Sequence, residues 1–458
     1  MSKAYSTETI CALSTPSGVG GIAVVRVSGP LAWSIVGACF SKPIHAGMVR
    51  RAMFGELYDG DQVLDEVVVT AYQGPFSFTG EDVVEIACHG SRYIQQCLLE
   101  VLMRLGCRMA MPGEYTQRAY LNGKLDLSRA EAVGDVIASE SAAAHRQAVH
   151  QMRGGFSREI DGLRDQLIHF SSLLELELDF SEEDVEFANR GQMKHLLLEI
   201  QHVVVKLKDS FRFGNAIKNG IPVALVGPPN AGKSTLLNAL LNEDRAIVSD
   251  IAGTTRDTVE EVVNLGGYMY RFIDTAGIRE TEDVIERMGI DRSIEKVRHA
   301  QLVVVLFDAL ETSLEESVVF LNRVNAVKRA DAKVVVCWNK VDLSGKGDGN
   351  GSGNENDELF IVAKSGESIA SLERWLIESV QQEVDESATI VTNARHFESL
   401  RKSAESLEQL MQGLDTGVPS DLLAVDVRGV LFHLGEITGK ISADDILHSI
   451  FGKFCIGK

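Results

Sequence analysis

Gly227-Pro228-Pro229-Asn230-Ala231-Gly232-Lys233-Ser234-Thr235 fits the phosphate-binding pattern G-x-x-x-x-G-K-[ST], and its neighbours supply the context that pattern needs. The apolar run Ile221 to Val226 reads as a strand entering the loop, and Thr235 to Leu241 as the helix leaving it. Glycines at both ends let backbone N–H groups from Asn230 to Thr235 turn toward phosphate oxygens. Lys233 brings a point charge to the β- and γ-phosphates, and the Ser234 hydroxyl is a Mg²⁺ ligand.

Three later stretches complete a nucleotide site and choose its base. Phe272-Ile273-Asp274-Thr275-Ala276-Gly277 ends a strand in an aspartate suited to hold Mg²⁺ through water, then a glycine N–H for the γ-phosphate. Val334-Val335-Val336-Cys337-Trp338 is a buried strand followed by Asn339-Lys340-Val341-Asp342, the pattern N-K-x-D. The Asp342 carboxylate accepts from guanine N1–H and N2–H₂ together, an edge adenine lacks, and leaving such a carboxylate unpaired is costly. After Phe360-Ile361-Val362 come Ala363 and Lys364, where Ser-Ala-Lys is usual. Val362 loses the hydroxyl contact and keeps the backbone contact to guanine O6.

The hydrolytic chemistry departs from that of small GTPases. There a glutamine follows D-T-A-G and orients water. Here the position is Ile278, so another polar group must serve: Arg279, Glu280, Glu282, Asp283 and Glu286 are the candidates nearby. The loop Ser249-Asp250-Ile251-Ala252-Gly253-Thr254-Thr255-Arg256-Asp257 offers Thr255 to Mg²⁺, and further carbonyl and hydroxyl oxygens near the phosphates. With the amide of Asn230, these oxygens form either a plain hydrogen-bonded loop or a cage for a monovalent cation. Such a cation would place positive charge where an arginine finger does. Lys233, Arg256 and Arg279 are the cationic catalytic candidates.

A chain of 458 residues with 45% hydrophobic and 24% charged content has room for several cores and an ordinary globular composition. No apolar run approaches the ~20 residues of a membrane span, and Met1-Ser2-Lys3-Ala4-Tyr5 does not start a signal peptide, so a cytoplasmic location is expected. The seven cysteines include no C-x-x-C pair and read as reduced thiols without a metal site. The net charge of −20 excludes a broad basic face, so any nucleic acid must be gripped by a local patch or by a partner. Arg50-Arg51 and Arg401-Lys402 are too sparse to be that patch.

Four segments follow from the change of periodicity along the chain. Residues 1–122 mix β-branched runs (Gly20 to Val27, Val67 to Thr70, Asp82 to Ala87) with a helix from Tyr93 to Leu105, an α+β pattern. Residues 123–217 are helical, with Ile160, Leu163, Leu167, Phe170 and Leu174 on one helix face. The nucleotide motifs occupy 218–383, and helical spacing resumes over 384–458. The expected fold is therefore multidomain: an N-terminal α+β domain and an α-helical central domain into which an α/β P-loop GTPase domain is inserted. Ser344 to Asp357 reads as a flexible surface loop. Glu175, Glu177, Asp179 and Glu182-Glu183-Asp184 read as a solvated acidic face. Cys455-Ile456-Gly457-Lys458 has the outline of a prenylation box but the wrong residues for one.

The whole chain resembles the MnmE (TrmE) family of tRNA-modification GTPases. The resemblance rests on the loop at 227–235, D-I-A-G-T-T-R-D at 250–257, D-T-A-G-I-R-E at 274–280, and the terminal Phe454-Cys455-Ile456-Gly457-Lys458. It implies a K⁺ site on Asn230, Ser249, Ile251 and Thr254, Mg²⁺ on Ser234 and Thr255, and Glu286 as the residue that orients water. It implies that the N-terminal domain dimerises and binds folate. Arg26, Glu85, Lys124 and Lys458 would contact 5,10-methylene-tetrahydrofolate or a related one-carbon donor. Cys455 gains a site role from the terminal motif. The implied partners are a second copy, the FAD-bearing flavoprotein MnmG (GidA) in a heterotetramer, and tRNA, with no membrane. The implied reaction adds a carboxymethylaminomethyl-type group to C5 of the wobble uridine. A ribosome-assembly GTPase is the rival class, and the acidic balance opposes it. A GTP-binding scaffold without turnover is the other.

Overall fold

The computed structural model describes residues 8–179, 190–243, 260–273, 295–344, 358–365, 368–382, 389–441, 444–452, 454 and 457. The chain divides into two compact units. One holds residues 1–138, 148–205 and 398–458, and the other 139–147 and 206–397.

The first unit begins with strands β1 (Ile10–Leu13) and β2 (Gly20–Ser28), helix α1 (Ala32–Cys39), β3 (Ala52–Asp59), β4 (Gln62–Tyr72), β5 (Val83–Gly90), helix α2 (Arg92–Arg104) and β6 (Arg108–Met109). They form one sheet in the order β3-β4-β5-β2-β1-β6, antiparallel except for the β1–β6 pair. Side chains alternate across a pleated sheet, and the sequence obeys that period. Cys11, Val25, Val27, Val84, Ile86 and Val69 enter an apolar core closed by α1 and by Leu98, Val101 and Leu102 of α2. The intervening residues make a different row on the opposite face. Ala12 pairs with Arg26, Arg26 with Glu85, and Glu85 with Thr70, from β1 through β2 and β5 to β4. Ala12 and Ile10 pack there on Tyr115 of α3 (Glu114–Leu121).

Helices α4 (Leu127–Ala138), α5 (Ala142–Met152), α6 (Gly155–Asp179) and α7 (Arg190–Asn219) follow. The five α6 residues expected on one face are all buried.

The second unit carries β7 (Ile221–Val226), α8 (Lys233–Glu243), β8 (Glu261–Leu265), β9 (Tyr268–Phe272), β10 (Leu302–Asp308), α9 (Leu314–Val327), β11 (Lys333–Asn339), α10 (Val341–Ser344), β12 (Glu358–Phe360) and α11 (Ile369–Gln381). Its sheet runs β12-β11-β10-β7-β9-β8, parallel except for β8. Every residue of β10 is buried, as a parallel strand covered on both faces requires. Leu302, Val304 and Leu306 point into one core, and Val303, Val305 and Phe307 into the other. The chain closes with α12 (Ala394–Thr416), α13 (Ser420–Thr438) and α14 (Asp444–Phe451).

In the first unit α13 packs on α6. Gly435 permits this approach, because a Cβ there would lie 2.3 Å from the Arg164 guanidinium. Arg164 in turn donates to the Leu431 carbonyl at 2.9 Å.

Strand β7 spans the residues expected. Helix α8 begins at Lys233, earlier than the periodicity suggested, since the loop's last residues already turn helically. Of the loop expected at Ser344 to Asp357, Ser344 ends α10 and the rest lies outside the described residues.

Candidate functional site

Strand β7 delivers the phosphate loop at the carboxyl end of a parallel sheet, where open α/β folds bind ligands. The loop depends on its glycines. A Cβ on Gly227 would sit 2.1 Å from the Leu306 carbonyl oxygen, and one on Gly232 would sit 2.3 Å from Asn339 Nδ2. Asn230, between them, takes the left-handed φ of 58° that asparagine tolerates better than most residues. Lys233 Nζ donates to the carbonyls of Gly227 at 2.9 Å and Pro228 at 2.7 Å, which keeps its charge within the loop. Burial lowers its pKa to about 8. Ser234 and Thr235 lie on the exposed first turn of α8, where helix N–H groups and the macrodipole favour an anion.

Asn339 ties three elements together. Its Nδ2 donates to the Ala231 carbonyl at 2.8 Å, and its Oδ1 accepts from the Ala363 N–H at 3.0 Å. The residue is 3% exposed, so the phosphate loop, the N-K-x-D turn and the Ala363-Lys364 loop share one buried amide. Lys340 adopts a left-handed φ of 62° and pairs with Asp308 at 2.6 Å. Burial would raise the Asp308 carboxyl, but the hydrogen bond from Lys340 and the Leu310 N–H more than offset it, so its pKa falls. Asp342 is exposed in the first turn of α10, and Lys364 is exposed beside buried Ala363.

Of the expected nucleotide residues, the structure thus brings together Asn230, Ala231, Gly232, Lys233, Ser234, Thr235, Asn339, Lys340, Asp342, Ala363 and Lys364 at one end of the sheet. Ser249 to Thr255, Arg256, Asp274 to Gly277, Arg279 and Glu286 lie outside the described residues. The expected K⁺ shell is therefore described only at Asn230 and the Mg²⁺ shell only at Ser234. The donors there fit hard cations, which take oxygen ligands.

In the first unit, Arg26 and Glu85 face each other across neighbouring strands. Arg26 Nε and Nη2 both donate to Glu85 Oε1, at 3.0 and 2.8 Å. Tyr72 Oη donates to the other Glu85 oxygen at 3.5 Å. The Arg26 guanidinium lies 5.4 Å from the Phe78 ring centre and 5.6 Å from that of Tyr115, within cation–π range. Tyr115 Oη donates to the Arg26 carbonyl at 2.7 Å, and Lys124 Nζ to that of Pro75 at 2.9 Å.

Cys455 and Lys458 are outside the described residues, but Phe454 and Gly457 are not. The Ser14 hydroxyl donates to the Gly457 carbonyl at 3.2 Å, and a Cβ on Gly457 would lie 2.1 Å from the Leu13 carbonyl oxygen. Phe454 packs against Phe451, and the Cβ position of Gly134 is 2.1 Å from its ring. Gly457 thereby sits against the end of β1, the strand next to the one that carries Arg26.

Sequence reasoning missed an ion network built around the buried Glu114–Arg118 pair. Arg118 donates to Glu81 at 3.0 Å and to Glu114 at 2.9 Å; Arg108 donates to Glu114 at 2.7 Å and Glu8 at 2.8 Å. Burial would raise Glu114, but hydrogen bonds from Arg108, the Met111 N–H and Arg118 outweigh it and hold the carboxyl below its ordinary value. Glu81 also accepts from Ser28 at 2.7 Å. The network so anchors the 73–82 turn that carries Phe76 and Phe78. Glutamate and arginine at positions 114 and 118 were the one local signal, an i,i+4 pair.

The model of the GTP-binding protein TrmE N-terminus matches residues 9–124, and that of the MnmE helical domain matches residues 127–455. The chain belongs to the MnmE family. A protein of Cytophaga hutchinsonii named tRNA modification GTPase MnmE is 52% identical over 99% of this chain and 98% of its own length. Relatives of the same name from Flavobacterium johnsoniae and Bacteroides fragilis are 49% and 47% identical, each over 98% of this chain and 99% of theirs. The G domain of the T. maritima FeoB iron transporter aligns with 35% of this MnmE-family chain and 99% of its own, at 25% identity and a TM-score of 0.26. The family assignment rests on the sequence matches and not on that superposition. No described helix is long and apolar enough to cross a membrane.

Proposed function

We propose that this MnmE-family GTP hydrolase is K⁺-dependent. With an FAD-bearing MnmG partner, it would drive addition of a carboxymethylaminomethyl-type group to C5 of the tRNA wobble uridine. The one-carbon donor in this reading is 5,10-methylene-tetrahydrofolate or a relative, held by Arg26, Glu85, Lys124 and Lys458. The domains proposed are 1–122 for folate binding and dimerisation, 123–217 and 384–458 for the helical part, and 218–383 for the inserted GTPase.

The observation that carries the GTPase half is Asn339. One buried amide holds the loop that would cradle phosphates and the loop that would meet the base, so both ends of a guanine nucleotide are addressed together. When bound, Mg²⁺ on Ser234 and Thr255 and K⁺ on Asn230, Ser249, Ile251 and Thr254 would neutralise negative charge at the phosphates. Lys233 binds the β- and γ-phosphates, Arg256 and Arg279 add positive charge, and Glu286 orients the attacking water. Pairing of two GTPase domains would order the K⁺ loop and replace an external activator. For the folate half, support comes from the Arg26–Glu85 pair, whose guanidinium lies over two aromatic rings, on the strand next to the one whose end meets Gly457. Glu85 suits a pterin N–H edge, Lys124 and Lys458 suit an anionic tail, and Cys455 lies in the C-terminal motif.

GTP turnover compared in KCl and NaCl tests the first half. Stimulation by K⁺ should disappear in Asn230→Ala; equal rates in both salts would remove the K⁺ reading. Mass spectrometry of wobble uridines from cells lacking the gene tests the second, and intact modification would remove it while leaving the GTPase.

A further inference from the structure

The segment from Tyr72 to Phe78 is a wall with two sides. Tyr72 and Phe78 belong to the Arg26–Glu85 site: one donates to Glu85 and the other lies under Arg26. Between them in sequence, Gln73 and Phe76 join Val49 and Arg50 around a concavity of about 260 Å³. Burial and the Glu85 carboxylate raise the Tyr72 phenol, and the cations of both Arg26 and Arg50 lower it.

Arg50 is an unusual residue. Its φ of 60° lies in the left-handed region, which non-glycine residues occupy only when their surroundings enforce it, often at binding sites. Enforcement comes from its N–H, which donates to the Ala71 carbonyl at 2.8 Å, and from the bridge between Val49 and Ala71. The guanidinium is thereby held over the exposed Phe76 ring, 5.6 Å from its centre. Among the described residues no carboxylate pairs with it. The concavity therefore offers a cation, an aromatic surface and the Gln73 amide. Its volume falls below the roughly 300 Å³ at which sites for whole small molecules begin. It suits an anionic arm of a ligand whose body lies elsewhere.

We propose that this concavity receives the outer γ-glutamyl carboxylates of a folate whose pterin end lies toward Arg26 and Glu85 and whose first glutamate meets Lys124 and Lys458. The proposal rests on the folate reading above and extends it: poly-γ-glutamylated forms are the preferred ligands. Arg50 pairs with a glutamyl carboxylate, the methylene stem lies on Phe76, and Gln73 hydrogen-bonds the amide link.

Calorimetric titration of the full-length protein with mono- and tri-γ-glutamyl 5-formyl-tetrahydrofolate tests it. An exposed ion pair predicts tighter binding of the triglutamyl form by about five-fold in the wild-type protein. That ratio should fall to about one in Arg50→Met, and the triglutamyl form should become the weaker ligand in Gln73→Glu, where a carboxylate opposes the tail. Gln73→Glu keeps the test decisive if the Arg50 variant does not fold. Equal affinities in the wild-type protein, or a preference that survives both substitutions, overturns the proposal and leaves the folate reading intact. Failure of the wild-type protein to bind either form removes both.

Discussion

Asn339→Ala removes one side chain and unties three loops. The native amide is buried and makes bonds of 2.8 Å to Ala231 and 3.0 Å to Ala363. Alanine deletes both and strands a buried carbonyl and a buried N–H. Each stranded group costs about 1–3 kcal/mol, so the arrangement with both loops in place loses roughly 2–6 kcal/mol. In the nucleotide-free variant the loops relax and water recovers part of that loss. Binding must then restore the arrangement, and an unrecovered 2 kcal/mol corresponds to about a thirty-fold rise in Kd for GTP. Fluorescence titration with a labelled GTP analogue reads this directly. Asn339→Asp is the informative companion: it keeps an acceptor for the Ala363 N–H but sets an oxygen against the Ala231 carbonyl, so it should bind no better than the alanine variant. A Kd within three-fold of wild type for Asn339→Ala would refute the idea that this amide couples the two loops.

Three further outcomes follow from the same physical arguments. Because burial lowers the Lys233 pKa to about 8, phosphates that favour the charged amine should raise it. GTP binding near pH 8 should then take up a fraction of a proton, and affinity should decline as pH rises further; calorimetry in buffers of different ionisation enthalpy will show this uptake, absent in Lys233→Met. Arg118→Met leaves Glu114 with Arg108 and Glu81 with Ser28, and the lost charged hydrogen bonds should cost the first unit about 2–3 kcal/mol in urea unfolding. Glu114 is held below its ordinary value of 4.5, so its contribution is complete above that pH and lost as pH falls through the lower folded-state value; that acid-side slope should be shallower in Arg118→Met. Gly457→Ala combines a φ of 97° with a 2.1 Å clash against Leu13, so it should break the contact of Gly457 with Leu13 and Ser14 and speed cleavage near the C-terminus in limited proteolysis, without moving the Kd for GTP.

The parts of this molecule that sequence made plain are those in which neighbours in the chain are neighbours in space. The phosphate loop, its strand and its helix are contiguous, and the buried face of α6 repeats at helical spacing, so both could be read directly. The N-K-x-D turn was legible as a motif. Its anchoring role was not, because Asn339 reaches Ala231 across 108 residues. The Arg26–Glu85 pair depends on a strand register that no local pattern encodes, and the two residues had to be nominated by family resemblance. The Glu8–Arg108–Glu114–Arg118–Glu81 network and the docking of Gly457 on Ser14 are more remote still, the latter spanning 443 residues. Arg50, in sequence only part of a basic pair too sparse to be a nucleic-acid patch, acquires meaning through its backbone conformation and the ring beneath it.

The row from Ala12 through Arg26 and Glu85 to Thr70 has a consequence for assembly of the sheet. Sliding β2 by a single position would turn Arg26 toward the side occupied by Cys11, Val84 and Ile86, and would bring valines out in its place. A guanidinium thrust among those thiols and aliphatics would find no counter-charge, which makes the slipped register costly. The ion pair thus marks the native alignment: only the register that sets Arg26 opposite Glu85 gives the guanidinium its counter-charge.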